Sequence, residues 1–528
     1  MLAPLQLPLR SEPPRATLVN ATGLPFDNAV ATARTCYSSR IITPEEVSKD
    51  ERARALRDGI AESTYFAGHH TTLQHATFQF ALEGVSRQAI WSFLHAHPFY
   101  NSEQVSQRYV AVKKERFFIP TLPNAALQDL YESCLHAQME DYRALTELLT
   151  QPAGEAFFQI FRARAKQPDK HAKAIGKKAQ EVARYVLPIA THAHLYHTIS
   201  GLTLHRYHRL CRQWDVPSEV SMLVAAMVAA VEAHDPLFFR QIEDPLPLES
   251  THEYALLAAL GVSSSVDDAR RHRDEAEATL GGRLSALIDH SAQGEATLAR
   301  AVRAVLALSP AQLDDAAAID AVLAPAQNPY LREALNLGAH GKVTAALHHV
   351  HYTFYKKLSH AADSQDQRHR MTPGSRPVLH RHVVGGEPDV ITPSLIERHG
   401  PAKERFDQSM RRTYATVQQL LDRGVPHEQA LYLLPNAQAI RFVESGDLLG
   451  WHHKWVSRLC YNAQEEIWRA SLDEVGAVAA VHPRIARYLQ PPCGLRAAAG
   501  ARPICPEGPR FCGVPVWKLE REQYRRTI

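Results

Sequence analysis

Two stretches of the chain concentrate side chains that hold anions. Ser364 to Arg376 reads SQDQRHRMTPGSR, and His95 to Tyr109 reads HAHPFYNSEQVSQRY. Arg recognises phosphate through a planar fork of donors, and Ser hydroxyls with loop amides complete such a cradle. The first stretch carries Gln365, Arg368, His369 and Arg370 as Gln-x-x-Arg-His-Arg; the second carries Ser106, Gln107, Arg108 and Tyr109, with Glu103 just upstream. One anion-binding motif is divided between two places. His95 and His97 could form a metal pair, but no carboxylate or Cys stands at a matching spacing.

The elements that must position these residues recur in order. Residues 43–65 read as helix, with Thr43 as N-cap, Pro44 at the first position and Glu46 closing a capping box. A His-rich turn at His69 and His70 leads to an alternating strand, HATFQFAL, and a helix that ends before Pro98. A strand over VAVKKERFFIP precedes a long helix from about Asn124 to Leu149. A helical block from His171 is interrupted at Pro188 and continues through ATHAHLYHTISGLTLHRYHRLCRQW. PSEVSMLVAAMVAAVEAH is expected to be a buried helix. From Gly338 the order repeats: GKVTAALHHVHYTFYKKLSH parallels the first turn and strand, DVITPSLI reads as a strand, Ala402–Leu421 as a helix, and LYLLP stands against RYVLP. Two diverged copies of one domain account for this. The expected domains are 1–245, a helical insert over 246–325 with breaks at Ser263–Ser265 and Gly281–Gly282, and 326–528.

With 528 residues the chain is long enough for two or three cores, and its 45% apolar and 22% charged residues suit a globular protein. A net charge of +3 excludes a dedicated nucleic-acid surface. The opening MLAPLQLPLRSEPPRATL, with Pro4, Pro8, Pro13 and Pro14, is not expected to act as a signal peptide, and no apolar run reaches membrane-spanning length. Seven Cys, an odd number, make no disulfide framework and fit a reducing cytoplasm.

These residues resemble the flavin-dependent thymidylate synthases. In the first half Gly68, His69, Thr71 and His75 match the family's Gly-His turn, with Thr72 for Pro and Gln74 for Glu. Ser106, Arg108 and Tyr109 match the end of its signature, and Arg184, Leu187 and Pro188 match an Arg-x-x-Leu-Pro step; His95-Ala96-His97 replaces Arg-His-Arg. The second half keeps Gln365, Arg368, His369, Arg370 and Arg458, followed by Ala463-Gln464-Glu465-Glu466-Ile467. It shortens Ser-x-Arg to Gly374-Ser375-Arg376 and has Leu431 for the Arg and Lys342 for the turn His. What one half lost, the other kept.

The resemblance implies an α/β (α+β) fold in two tandem copies and FAD-dependent reductive methylation of dUMP to dTMP, with methylenetetrahydrofolate and NADPH as co-substrates. Composite sites would draw on both halves. Substrate contacts fall to Glu103, Ser106, Gln107, Arg108, Arg184, Gln365, Arg368 and Arg458, and cofactor contacts to His69, Thr71, Arg368, His369, Arg370, Asp447 and His453. Methylating uracil at C5 without a covalent thiol requires a more nucleophilic ring. A fixed cation beside N3 and O4 stabilises the charge that develops, which makes Arg458 the catalytic candidate. A homodimer would form a pseudo-tetramer with one FAD per chain. Rival readings are a same-fold enzyme for another pyrimidine nucleotide and a catalytically silent flavin- or nucleotide-binding protein. Outside the resemblance, Cys493, Cys505 and Cys512 in the Pro/Gly-rich tail suit structural zinc or an iron–sulfur cluster, with His482 or Cys460 as a fourth ligand.

Overall fold

The computed structural model describes residues 5–112, 116–262, 265–333 and 335–528. Pro4 of the opening stretch, Ser263 and Ser264 of the expected break, and the centre of the VAVKKERFFIP strand lie outside them. Each of two four-stranded antiparallel sheets has the same strand sequence. The first is ordered β1 (Arg15–Ala21), β2 (Thr77–Ser86), β4 (His192–Ser200), β3 (Asn101–Gln104). The second is ordered β5 (Ser285–His290), β6 (His351–Ser359), β8 (Ala439–Asp447), β7 (Gly374–Ser375). In both, a strand ends in a Ser that caps the next helical turn: Ser86 Oγ accepts from Ala89 N at 3.0 Å, and Ser359 Oγ from Ala362 N at 3.1 Å.

Several expectations are corrected. His192–Ser200 is the central strand β4, not a continuing helix. Ala193, Leu195, His197 and Ile199 alternate inward while His194 and Tyr196 are exposed, so the segment has the period of a half-buried strand. The stretch 246–325 is not a purely helical insert. It contains β5, paired with β6 from Ser285↔Lys356 to His290↔Tyr352. Its helices Gly294–Leu306 and Asp315–Leu323 bury Leu298, Val302, Ile319 and Val322 in the core beneath that sheet, against Phe354, Trp451 and Trp455. Of VAVKKERFFIP, the described part forms only isolated bridges, Phe117 to Thr191 and Pro120 to Leu9, and DVITPSLI forms one at Val390 to Gln438 before a helical turn at Ser394–Glu397. The helix expected to end at Leu149 runs Ala125–Ile160 with Pro152 inside it. The helix over 43–65 is two, Pro44–Ser48 with its capping box and Glu51–Phe66, whose N-cap Asp50 accepts from Ala53 N at 2.7 Å. Pro217–His234 is the expected buried helix, packed on β1.

The chain forms two compact units, and neither is a continuous half. One comprises 1–139, 187–265 and 412–434; the other comprises 140–186, 266–411 and 435–528. Each unit therefore takes a segment from the opposite half, and the two insertions repeat one contact. In the first unit Glu219 accepts from Ser86 N at 2.7 Å, from Ser86 Oγ at 2.6 Å and from Tyr432 Oη at 2.6 Å. In the second, Glu466 accepts from Ser359 N, from Ser359 Oγ at 2.7 Å and from Tyr185 Oη at 2.7 Å. Tyr432 and Tyr185 are the tyrosines of LYLLP and RYVLP.

Candidate functional site

In the second unit β6 ends at Ser359 and passes into the short helix His360–Asp366, which sets Gln365 and the Arg368–Arg370 turn. The helix Leu448–Arg458, capped by Asp447 Oδ1 accepting from Gly450 N at 2.8 Å, brings Arg458 to that turn. Arg458 Nε donates to His369 Nε2 at 2.7 Å, and its Nη2 donates to the Gln365 carbonyl at 3.3 Å. Burial, the Arg458 guanidinium and Lys454 hold His369 well below the usual imidazole range. It is neutral near pH 7 and accepts from Arg458, so the guanidinium is oriented without losing its charge.

A hydrogen-bonded chain ties this pair to the segment from the other half. Gln365 Nε2 donates to Gln464 Oε1 at 3.3 Å, and Gln464 Nε2 donates to Tyr185 Oη at 2.5 Å. Arg184, next to Tyr185, is buried, and its carbonyl accepts from Asn436 Nδ2 at 3.0 Å. Thus Arg184, from the first half, lies in one compact unit with Gln365, Arg368 and Arg458, from the second.

Beneath the turn lies a buried ion cluster. Lys356 Nζ donates to Asp366 Oδ2 and Glu444 Oε2, both at 2.8 Å, and lies 2.9 Å from Glu474 Oε1. Lys454 Nζ donates to Asp366 Oδ2 at 2.7 Å and to the two Glu444 oxygens at 2.6 and 2.7 Å. All five side chains are closed to solvent. Burial raises the Glu474 carboxyl, opposed by the two lysines and helped by Glu444 and Asp366. Two lysines and three carboxyl groups thus compensate one another inside the cluster. It fixes the turn: the Asp366 carbonyl accepts from His369 N at 3.0 Å, and Thr372 Oγ1 donates to Glu444 Oε1 at 3.0 Å.

The candidate cofactor residues divide between the units. Asp447 Oδ2 accepts from His348 Nδ1 at 2.6 Å, and His453 Nδ1 is 3.3 Å from Asn336 Nδ2, with its ring 5.9 Å from that of His369. His369 and His453 are therefore neighbours beside Arg458, with Arg368 and Arg370 in the adjoining turn, while Asp447 caps the opposite end of the Arg458 helix. His69 lines a cavity of the first unit with Tyr65, His70, Leu73 and His205; Thr71 is exposed on the 3-10 turn His70–His75. Glu103 is an exposed residue of β3 paired with Tyr196. Ser106 opens a turn in which its Oγ accepts from Arg108 N at 3.3 Å and its carbonyl from Val110 N at 2.9 Å, with Gln107 buried and Arg108 over the Tyr109 ring.

In the first unit, the residues at the same offsets from the capping Ser as Arg368 and Arg370 are His95 and His97. His95 stacks on Tyr100 with centroids 4.4 Å apart. His97 Nε2 and His197 Nε2 meet Tyr207 Oη at 2.8 and 2.9 Å. Burial, with Arg206 nearby, holds His97 down at about 4, and burial, with His97, holds His197 at about 3. His97 and His197 are therefore uncharged near pH 7.

Tyr185, Gln464 and His348 were not among the candidates drawn from sequence. The RYVLP/LYLLP repeat and the Ala-Gln-x-Glu-Ile run carried a signal for the first two. His348 stands seven residues past Gly341, as His75 does past Gly68, so the repeat of the Gly-led turn carried a signal for it.

The chain belongs to the thymidylate synthase complementing protein family, Thy1, whose model matches residues 17–237 and 286–484. Among curated relatives, a flavin-dependent thymidylate synthase of Sulfolobus acidocaldarius is 34% identical over 28% of this chain and 57% of its own length. One of Geobacter sulfurreducens is 30% identical over 45% of this chain and 97% of its own, and one of Clostridium tetani is 27% identical over 43% and 85%. The chain thus spans about 57% of the length of the Sulfolobus relative. Among the described residues no helix is long and apolar enough to cross a membrane.

Proposed function

We propose that the chain is a cytoplasmic flavin-dependent thymidylate synthase that converts dUMP to dTMP, taking the carbon from methylenetetrahydrofolate and reducing power from NADPH. The observation that supports it best is Arg458, held by neutral His369 and the Gln365 carbonyl and joined through Gln464 to the Arg184–Tyr185 segment of the other half. A guanidinium fixed in plane and charge is suited to stabilise negative charge on a uracil ring as C5 becomes nucleophilic, because it need not reorganise at that moment. Arg184, Gln365 and Arg368 are the substrate ligands of this unit, and the composite character of the site rests on Arg184. Ser106 and Arg108 are the phosphate candidates of the first half.

The donor set suits FAD: two guanidiniums, Arg368 and Arg370, match a pyrophosphate, and His369, Asp447 and His453 supply neutral and acidic partners nearby. When bound, the flavin would supply hydride transfer. Replacement of both arginines by His95 and His97, with His97 held down at about 4, makes the first unit's counterpart a poor anion site, so one FAD per chain is the reading they favour. Two tandem copies let each chain stand in for two subunits, and a homodimer would complete a pseudo-tetramer.

The test is tritium release from C5-labelled dUMP with the purified full chain. Release that needs methylenetetrahydrofolate and NADPH together supports the reading. Bound flavin without release would leave a silent binding protein, and release from another pyrimidine nucleotide but not dUMP would change the substrate.

A further inference from the structure

The tail carries three cysteines that the proposed chemistry does not use, and the fold brings a fourth to them. Cys493, Cys505 and Cys512 line one cavity with Cys460, which lies two positions past Arg458. Its other walls include Tyr461, Pro492, Pro506 and Phe511. All seven cysteines of the chain are free thiols, and four of them converge here. The tail is seated firmly: a Cβ on Gly513, beside Cys512, would come within 2.4 Å of Ile160, so that backbone lies tight against the end of the Ala125–Ile160 helix. Asn462 Nδ2 donates to the Arg510 carbonyl at 2.8 Å, and Tyr461 packs with Trp468, Val516 and Tyr524, with Cys493 and Cys512 against them.

Four sulfurs gathered in an apolar wall suit a thiophilic metal centre. We infer that Cys460, Cys493, Cys505 and Cys512 ligate a four-iron iron–sulfur cluster. A single tetrahedral zinc would need its thiolates about 2.3 Å from one point, and among the described residues no three His, Cys, Asp or Glu side chains could together hold one metal ion. The thiols surround a cavity instead, and a cluster that takes one Cys at each corner fills such a ring. As each Fe–S bond forms, the thiol proton leaves to solvent, and the Arg526 charge near Cys512 offsets part of the anionic cluster. The cluster would fasten the tail to the turn that follows Arg458.

The full chain, purified without oxygen and reconstituted with ferric iron and sulfide under dithiothreitol, is analysed for iron, acid-labile sulfide and zinc. About four iron and four sulfide per chain are expected, with a low-temperature EPR signal after dithionite that a flavin radical does not give. Cys460→Ser and Cys505→Ser should each cut iron below about a tenth of the wild-type content, whereas Cys36→Ser, at an exposed thiol outside the cavity, should leave it unchanged. Less than about 0.3 iron per reconstituted chain, or about one zinc in place of iron, overturns the inference. So does iron content indifferent to both cavity variants. Wild-type metal content decides the matter even where a variant fails to fold.

Discussion

Tyr185→Phe and Tyr432→Phe make a matched pair, because each removes one hydroxyl from the same arrangement of Ser, Glu and Tyr. Each hydroxyl lies 2.6–2.7 Å from a buried carboxyl that keeps its two contacts to Ser N and Ser Oγ. Loss of one hydrogen bond to such a group costs about 1–3 kcal/mol, which in units of this size lowers a thermal midpoint by several degrees, roughly 2–4 °C per kcal/mol. The two variants should therefore lose similar stability. Only Tyr185, however, also accepts from Gln464, which accepts in turn from Gln365; Tyr432 has no such chain, since Pro217 stands where the second half has Gln464. Release of Gln464 and Gln365 should weaken productive nucleotide binding by about 1.4 kcal/mol, a tenfold rise in KM for dUMP in the tritium-release assay. Tyr432→Phe should keep its kinetics at temperatures where it is folded. Equal kinetic losses in both variants, or none in Tyr185→Phe despite a lowered midpoint, would refute the view that this chain positions the site.

Arg108→Ala should weaken dUMP binding about tenfold to a hundredfold, the worth of one charge-assisted contact of roughly 1.5–3 kcal/mol, and an unchanged titration would remove Arg108 from the phosphate ligands. Flavin released by denaturation should amount to one equivalent per chain; two equivalents would show that the His95/His97 counterpart also binds. Burial, helped by Glu428, raises the Glu219 carboxyl to about 7 against the pull of Ser86 and Tyr432. Its folded pKa lies above the unfolded one, so the folded state holds the extra proton, and stability falls as pH rises from about 4.5 through 7. Glu219→Gln should flatten that fall, by on the order of 1–3 kcal/mol, in denaturant titrations at pH 5 and 8; an equally steep fall in the variant would show that Glu219 is not its source.

Much of this arrangement was legible in the residues. The capping box at Thr43, the alternating strand before Ser86 and the buried helix from Pro217 follow from local rules, and the QRHR turn and Arg458 were found as candidates before their contact was known. Strands β4 and β5 were not legible. β4 puts His197 on its inner face, where a polar side chain hides the alternation, and β5 is a six-residue edge whose register is set by β6 rather than by its own Ala- and Asp-containing sequence. The exchange of Tyr185 and Tyr432 between the halves is a long-range event that no local pattern encodes. Cys460 was named beside His482 as a partner for the tail cysteines, but spacing could not choose between the two, because the meeting depends on how the tail folds back.

The two units also show how one fold can keep a cation site in one copy and lose it in the other. Phe354 pairs with Glu444 in the second sheet as Phe80 pairs with His197 in the first, and Lys454 and Tyr207 both stand seven residues past their helix-capping residue. In the second unit this layer is ionic, and Lys454 and Asp366 lie directly under His369 and Arg458. In the first it is made of histidine and tyrosine, each ring stacked on or bonded to the next, without a buried ammonium. A lysine and glutamate pair needs all its partners at once, since an uncompensated buried charge costs several kcal/mol. Loss of a single member therefore favours replacement of the whole layer by neutral groups. Once that layer is neutral, the turn above it has no carboxylate to anchor an Arg-His-Arg segment, and His95 and His97 can pack against the aromatic rings beside them. The core beneath the turn and the charge on the turn are coupled, so restoring Arg at 95 and 97 alone should not restore an anion site. Nucleotide titration of His95→Arg/His97→Arg, with a gain of a second binding site per chain as the contrary result, tests that coupling.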